Sequence, residues 1–267
     1  MAAAGRNRPA WQLPRGVSAG TWDYIAEPSI ATEYDTFHGD HPLMRLDAQL
    51  LSERLSDYPP ERTTVADFGC GTARIARLLE PLGYRTLNID LSRHMLRAAA
   101  KRLAQPQLSS CIHSNLAELD WLCDSAIDVS VCLFSSIGMI RGRAHRLTFL
   151  KHVRRTLKPG GVFLLHVHNR GHSWLDPHGP WWFITTRLKS LWDESWEYGD
   201  RVYGYRGLPR MFLHIYSLPE LRADLRAAGF DHVDILPINV TGTELLPART
   251  PALTLRAGGF FAWAQCS

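Results

Sequence analysis

Nowhere in the 267 residues do 18 apolar residues run together, the length a membrane-crossing helix needs. The opening segment, MAAAGRNRPAWQLPRG, has no apolar core of signal-peptide length. Cysteine is scarce: Cys70, Cys111, Cys123, Cys132 and Cys266 are odd in number and include no C-x-x-C pair. This excludes a disulfide framework and fits buried thiols in a reducing compartment. Charge is nearly balanced, 30 Lys and Arg against 26 Asp and Glu, and the net +4 is too small by itself to argue for nucleic acid. These absences point to a cytoplasmic chain with no membrane partner. What is present is ordinary for a globular protein: 45% hydrophobic and 21% charged residues, with no internal repeat. Residues 1–20 begin with an arginine-bearing, acid-free stretch and read as a flexible tail. Residues 21–267 read as one domain.

Strands and helices alternate through that domain. TTVADFG is a short apolar strand and TARIARLLEPLG carries a helical stripe. YRTLNID is a second strand, followed by the helix SRHMLRAAAKRLAQ with Ser92 as its N-cap. LSSCIHSN, IDVSVCLFSS and GVFLLHVHN continue the set. The fourth strand is apolar almost throughout, as a strand buried on both faces should be. Such alternation implies an α/β fold, an open, doubly wound parallel sheet with helices on both faces. The pattern breaks at residues 169–216, which hold five of the nine tryptophans and show no clean helix. A block of that length inside a compact domain reads as a functional cap. After it come the helix SLPELRADLRAAGF and two strands, DHVDILPINV and GGFFAWAQCS.

The stretch VADFGCGTARIARLL carries the most chemistry. A Gly-Cys-Gly turn from strand to helix lets backbone approach a ligand and offers helix N-terminal amides. Asp90 ends the next strand about 20 residues on, where nucleotide-binding sheets hydrogen-bond a ribose. A dinucleotide or S-adenosylmethionine could fit. The dinucleotide fingerprint wants a third glycine, but Arg74 stands there. Asp67, two residues before the first glycine, would repel a pyrophosphate but could hold an ammonium, which S-adenosylmethionine carries.

VADFGCGTARIA, LNIDLSRHML, SNLAEL, DVSVCLFSSIGMI and LKPGGVFLLHV resemble, in order and spacing, the successive motifs of class I S-adenosylmethionine-dependent methyltransferases. The likeness covers about residues 60–168 and resumes in LPELRADLRAAGF and the last strands. It implies a Rossmann-like seven-stranded sheet with an antiparallel last strand. It also implies cofactor roles: Asp67, Gly69, Cys70 and Gly71 around the methionine part, and Asp90 on the ribose hydroxyls. Leu91 and Met95 would lie near the adenine, Asn115 and Leu116 would flank its ring, and Phe134 and Ser135 would face the cofactor. Many members have Asp where Asn115 stands. EYDTF resembles an element in which an aromatic residue closes over the cofactor, with Tyr34 the candidate and Tyr24 the fallback.

A sulfonium is already activated, so methyl transfer asks for alignment, exclusion of water and sometimes a base. The fourth strand lacks the N/D-P-P-Y of adenine amino-group methylation. His166 and His168 share one face of the fifth strand near its C-terminal end and are the candidate bases. His172 could join them on zinc, but no cysteine or carboxylate cluster supports this, and no metal is expected. Trp181, Trp182, Tyr203, Tyr205 and His214 in the cap are candidates for an apolar or aromatic acceptor cage. The cap's six basic and five acidic residues argue for a small-molecule acceptor over RNA. The alternatives are a tRNA or rRNA methyltransferase, since YGYRGLPRMFLHIYSLPELRADLRAAGF is loosely similar to the end of tRNA wobble-uridine methyltransferases, an NAD-dependent oxidoreductase, or a non-catalytic cofactor-binding subunit.

Overall fold

A computed structural model describes residues 8–265. Among the described residues there are nine strands: β1 Thr64–Phe68, β2 Arg85–Asp90, β3 Ser109–His113, β4 Ile127–Cys132, β5 Leu157–His168, β6 Asp200–Tyr205, β7 Leu208–His214, β8 His232–Asn239 and β9 Ala257–Gln265. Seven of them form one sheet in the order β3-β2-β1-β4-β5-β9-β8, and β6 and β7 make a separate hairpin. β3, β2, β1, β4 and β5 pair in parallel, and β9 runs antiparallel between β5 and β8. The expected Rossmann-like sheet with its antiparallel last strand is the one observed.

The helices are α1 Ala19–Ala26, α2 Pro28–His38, α3 Pro42–Leu55, α4 Arg74–Leu79, α5 Arg93–Ala100, α6 Arg143–Thr156, α7 Gly179–Trp192, α8 Leu218–Ala227 and α9 Leu253–Arg256. Ser92 caps α5, its hydroxyl accepting from the Met95 amide. Ser217 and Glu220 form a reciprocal capping box on α8. The sheet is covered on both faces. One core joins Phe68, Phe149, Phe163 and Phe230, and the other joins Leu51, Leu55, Leu79, Val129 and Phe261. Strand order reverses between β1 and β4, and an open sheet of this kind holds its ligand at the C-terminal strand ends beside that reversal.

Two expectations change. Residues 8–20 are not a loose tail: Val17 bridges Ile140, and the Asn115 side-chain amide donates to the Arg15 carbonyl at 2.9 Å. Residues 1–7 lie outside the described residues. The cap is ordered, with the 14-residue α7 and the β6–β7 hairpin. Its helix was hidden because its apolar spacing does not face the core. The cap is fixed to the body by buried polar contacts to α6 and α8. His214 Nδ1 lies 2.7 Å from Asp200, and its Nε2 lies 2.8 Å from Glu220 on α8. Arg146 of α6 donates to Glu197 at 2.5 Å.

Candidate active site

β1 ends in the glycine turn. Gly69 (φ +79°) and Gly71 (φ +54°) occupy the left-handed region that favours glycine. A Cβ on Gly69 would stand 2.7 Å from Ser136 Cβ, whereas one on Gly71 would meet nothing nearer than the Tyr34 ring, 3.9 Å away. Gly71 therefore faces open space, and that space is a cleft of about 1080 Å³. Asp90 at the end of β2 holds the turn, its carboxylate accepting from Gly71 N at 2.9 Å and from Ser92 N at 2.7 Å. A carboxylate has lone pairs left for two hydroxyls.

The cleft collects Tyr34, Asp67, Gly69, Cys70, Gly71, Asp90, Leu91, Met95, Asn115, Leu116 and Phe134. Tyr24, the fallback aromatic, lines it as well. Asn115 is present but engaged: its amide donates to Arg15, and its oxygen accepts from Ala117 N. Ser135 lies beyond Phe134 and borders a neighbouring cavity instead. Asp67 is buried, and burial pushes its carboxyl up to about 7 against the pull of the Arg74 guanidinium. A bound cation would restore its charge. The glycine turn, the Asp90 carboxylate and the buried Asp67 acid thus meet in one cleft.

Arg74, standing where a dinucleotide site has glycine, has its own task. It donates to the Met44 carbonyl at 2.9 Å and to buried Asp47 at 2.8 Å, fixing α3 beside the cleft. Nothing in the local motif signals this, because its partners lie about thirty residues upstream. Gly16, Val17 and Thr21 of the N-terminal segment also line the cleft, and the sequence reading missed them.

Beside the cleft lies a second cavity of about 460 Å³. The two share Tyr24, Tyr34, Phe134 and Met139. The far wall of the second is the β6–β7 hairpin, through Tyr203, Tyr205, Met211 and Leu213. Its polar groups include Ser135, His168 and His38. His38, at the end of α2, was not singled out from sequence. Its Nε2 and the Tyr205 hydroxyl are 2.7 Å apart, a hydrogen bond, and its ring lies edge-on to Phe134. Burial holds the His38 imidazole down at about 4, and His168 likewise at about 4, so both are neutral at physiological pH.

Four of the sequence candidates are not on this wall. His166 shares its strand face with His168, ring centroids 5.2 Å apart, but is packed behind it against Phe261 and borders neither cavity. Trp181 stands on the outward side of α7, and Trp182 packs against Phe183 with the Arg201 guanidinium over its ring. His214 is fully buried with both nitrogens engaged. Its neighbours Glu197 and Asp200 are committed in the same way, to Arg146 and to the Glu197 amide. Of the proposed cage, Tyr203 and Tyr205 face the cavity.

This geometry can be set beside known proteins. Residues 66–165 match the family described as Methyltransferase domain. That stretch is similar to a methyltransferase domain, and it holds the glycine turn, Asp90 and the parallel strands β1 to β4. Over 110 residues it is 29% identical to YqeM of Bacillus subtilis (strain 168), which bears a provisional methyltransferase name; the match covers 41% of this chain and 44% of YqeM. Over 162 residues it is 26% identical to the dTDP-3-amino-3,6-dideoxy-alpha-D-glucopyranose N,N-dimethyltransferase of Streptomyces fradiae, covering 60% and 56%. The chain thus spans about half the length of these curated relatives. Among solved structures, the Burkholderia thailandensis 1,6-didemethyltoxoflavin-N1-methyltransferase, with bound 1,6-didemethyltoxoflavin and S-adenosylhomocysteine, shares the fold. The TM-score is 0.57 at 18% identity, covering 90% of this chain and 84% of that one.

Proposed function

We propose that the chain methylates a small molecule held in the aromatic cavity between Phe134 and the β6–β7 hairpin, with residues 169–216 acting as the substrate cap. The observation that carries this reading is the wall the two cavities share: Tyr24, Tyr34, Phe134 and Met139 border both. A molecule in the second cavity therefore lies against whatever fills the cleft. When bound, S-adenosylmethionine supplies an electrophilic methyl group. The protein's part is to orient the acceptor, exclude water and take up a proton if the acceptor loses one. Asp67 and Asp90 would hold the ammonium and the ribose, and the Gly71 turn would let the backbone come close. His38, neutral and hydrogen-bonded to Tyr205, and His168, neutral on the adjoining wall, are the groups able to accept a proton from an acceptor O–H or N–H. His38 therefore takes the place that sequence reading gave to His166. The small volume and the near-neutral cap favour a small acceptor over RNA. The small acceptors named for the Streptomyces and Burkholderia relatives support the same choice.

The test is a labelled-methyl transfer from S-adenosylmethionine into cell extract, separated into metabolite, protein and RNA fractions. Label should enter the metabolite fraction and fall sharply with His38→Ala. Label confined to RNA would replace this reading with a tRNA or rRNA methyltransferase.

A further inference from the structure

Helix α7 wears its apolar side outward. Trp181, Ile184, Leu188, Leu191 and Trp192 fall on one arc of the helix, and every one is at least half exposed, Trp181 at 68% and Trp192 at 86%. The opposite side is the buried one: Thr186 is covered and its hydroxyl accepts from Trp196 Nε1 at 3.1 Å. A surface helix normally does the reverse, and contiguous exposed apolar stripes mark sites of association.

The order of the stripe identifies what covers it. Residues 181, 184, 188 and 191 are spaced three, four and three, the seam spacing of paired helices. That spacing reads the same in both directions. Two copies laid antiparallel about an axis at position 186 would set Trp181 against Leu191 and Ile184 against Leu188, twice over. The same register brings Asp193 and Glu194 of each copy to the first turn of the other's α7. That helix start has no side-chain cap, and the dipole of a helix N-terminus favours a carboxylate. It also sets Arg187 opposite Thr185 and Lys189 opposite Phe183, so no cation meets a cation. Five side chains of this size offer on the order of 800 Å² per copy, about what each partner contributes to a standard interface. An anionic lipid surface would suit Arg187 and Lys189 but not Asp193 and Glu194 at the stripe's end.

We infer that α7 is a two-fold homodimer interface, each copy seating its Trp181–Leu191 stripe antiparallel on the other's. The surface lies outside the cofactor and acceptor cavities, so assembly and cofactor binding can be read separately.

Sedimentation equilibrium on the full chain should give a dimer. Ile184→Glu with Leu188→Glu should give a monomer, as should Ile184→Lys with Leu188→Lys, each retaining wild-type far-UV circular dichroism and affinity for S-adenosylhomocysteine. Mixing the acidic and basic variants should regenerate a dimer, because glutamates then face lysines across the seam. A monomeric wild-type chain, double variants that stay dimeric, or a mixture that stays monomeric would overturn the proposal. A monomeric wild-type chain that co-sediments with phosphatidylglycerol vesicles would assign the stripe to a membrane surface instead.

Discussion

Asp67 and Asp90 are both acids in one cleft, but they answer to pH and mutation differently. The Asp67 carboxyl is raised to about 7 by burial, so below that pH it is protonated and must lose its proton to meet a cation. A raised acid also contributes to stability at low pH, and that contribution is lost as pH rises towards 7. Cofactor binding runs the opposite way. Affinity for S-adenosylmethionine should fall as pH drops below about 7, by up to roughly tenfold per unit. Asp67→Asn should bind weakly with no such slope, as calorimetry across pH 5.5 to 8 would show. Asp90→Ala removes the carboxylate proposed to hold the ribose hydroxyls and frees the Gly71 amide from its 2.9 Å bond. Its affinity should drop by about 1.5–3 kcal/mol or more, the range for hydrogen bonds to a charged group. His38 and His168, held down at about 4, should leave turnover at saturating cofactor flat from pH 8 to near 5. An acid limb near 6.5 in kcat would mean that neither acts as the base. At this scale the sequence was legible wherever a residue acts through its own neighbourhood. The Gly69–Gly71 turn and Asp90 follow from a local strand-turn-helix rule. His38 and Arg74 do not, because their meaning comes from partners distant in sequence, Tyr205 and Asp47.

Among elements, the parallel strands and capped helices could be read because each is locally consistent. Ser92 on α5 and Ser217 with Glu220 on α8 announce helix starts without help from the fold. α7 could not be read in this way, since its stripe faces solvent and its buried side is mixed. Nor could the hairpin, whose role depends on being fixed against α6 and α8. That fixing is testable. His214→Ala leaves Asp200 and Glu220 without their shared partner in a buried place. It should cost about 3 kcal/mol or more, lowering Tm by roughly 6–12 °C for a chain of this size. Differential scanning calorimetry would check this. The expected companion effect is a higher KM for the acceptor, because Tyr203 and Tyr205 ride on the same hairpin.

For the whole molecule, the sheet brings a cofactor cleft and an aromatic cavity together across a shared wall at the strand-order reversal. The floor of the cleft was foreseeable because its strand order and motif spacing belong to one contiguous stretch, residues 66–165, whereas the part of its wall formed by Gly16, Val17 and Thr21 was not. The aromatic cavity was not, because it is assembled from α1, α2, β5 and the hairpin, which lie far apart along the chain. Its function can be isolated by filling it. Met211 is buried on the hairpin wall and absent from the cofactor cleft. Labelled-methyl transfer by Met211→Trp, run beside the wild-type chain with S-adenosylhomocysteine affinity measured on the same samples, is the most direct measurement. The expected result is cofactor affinity within about twofold of wild type and transfer reduced at least tenfold, a barrier of about 1.4 kcal/mol or more. Transfer at the wild-type rate with the cavity filled would show that the acceptor is methylated from another side.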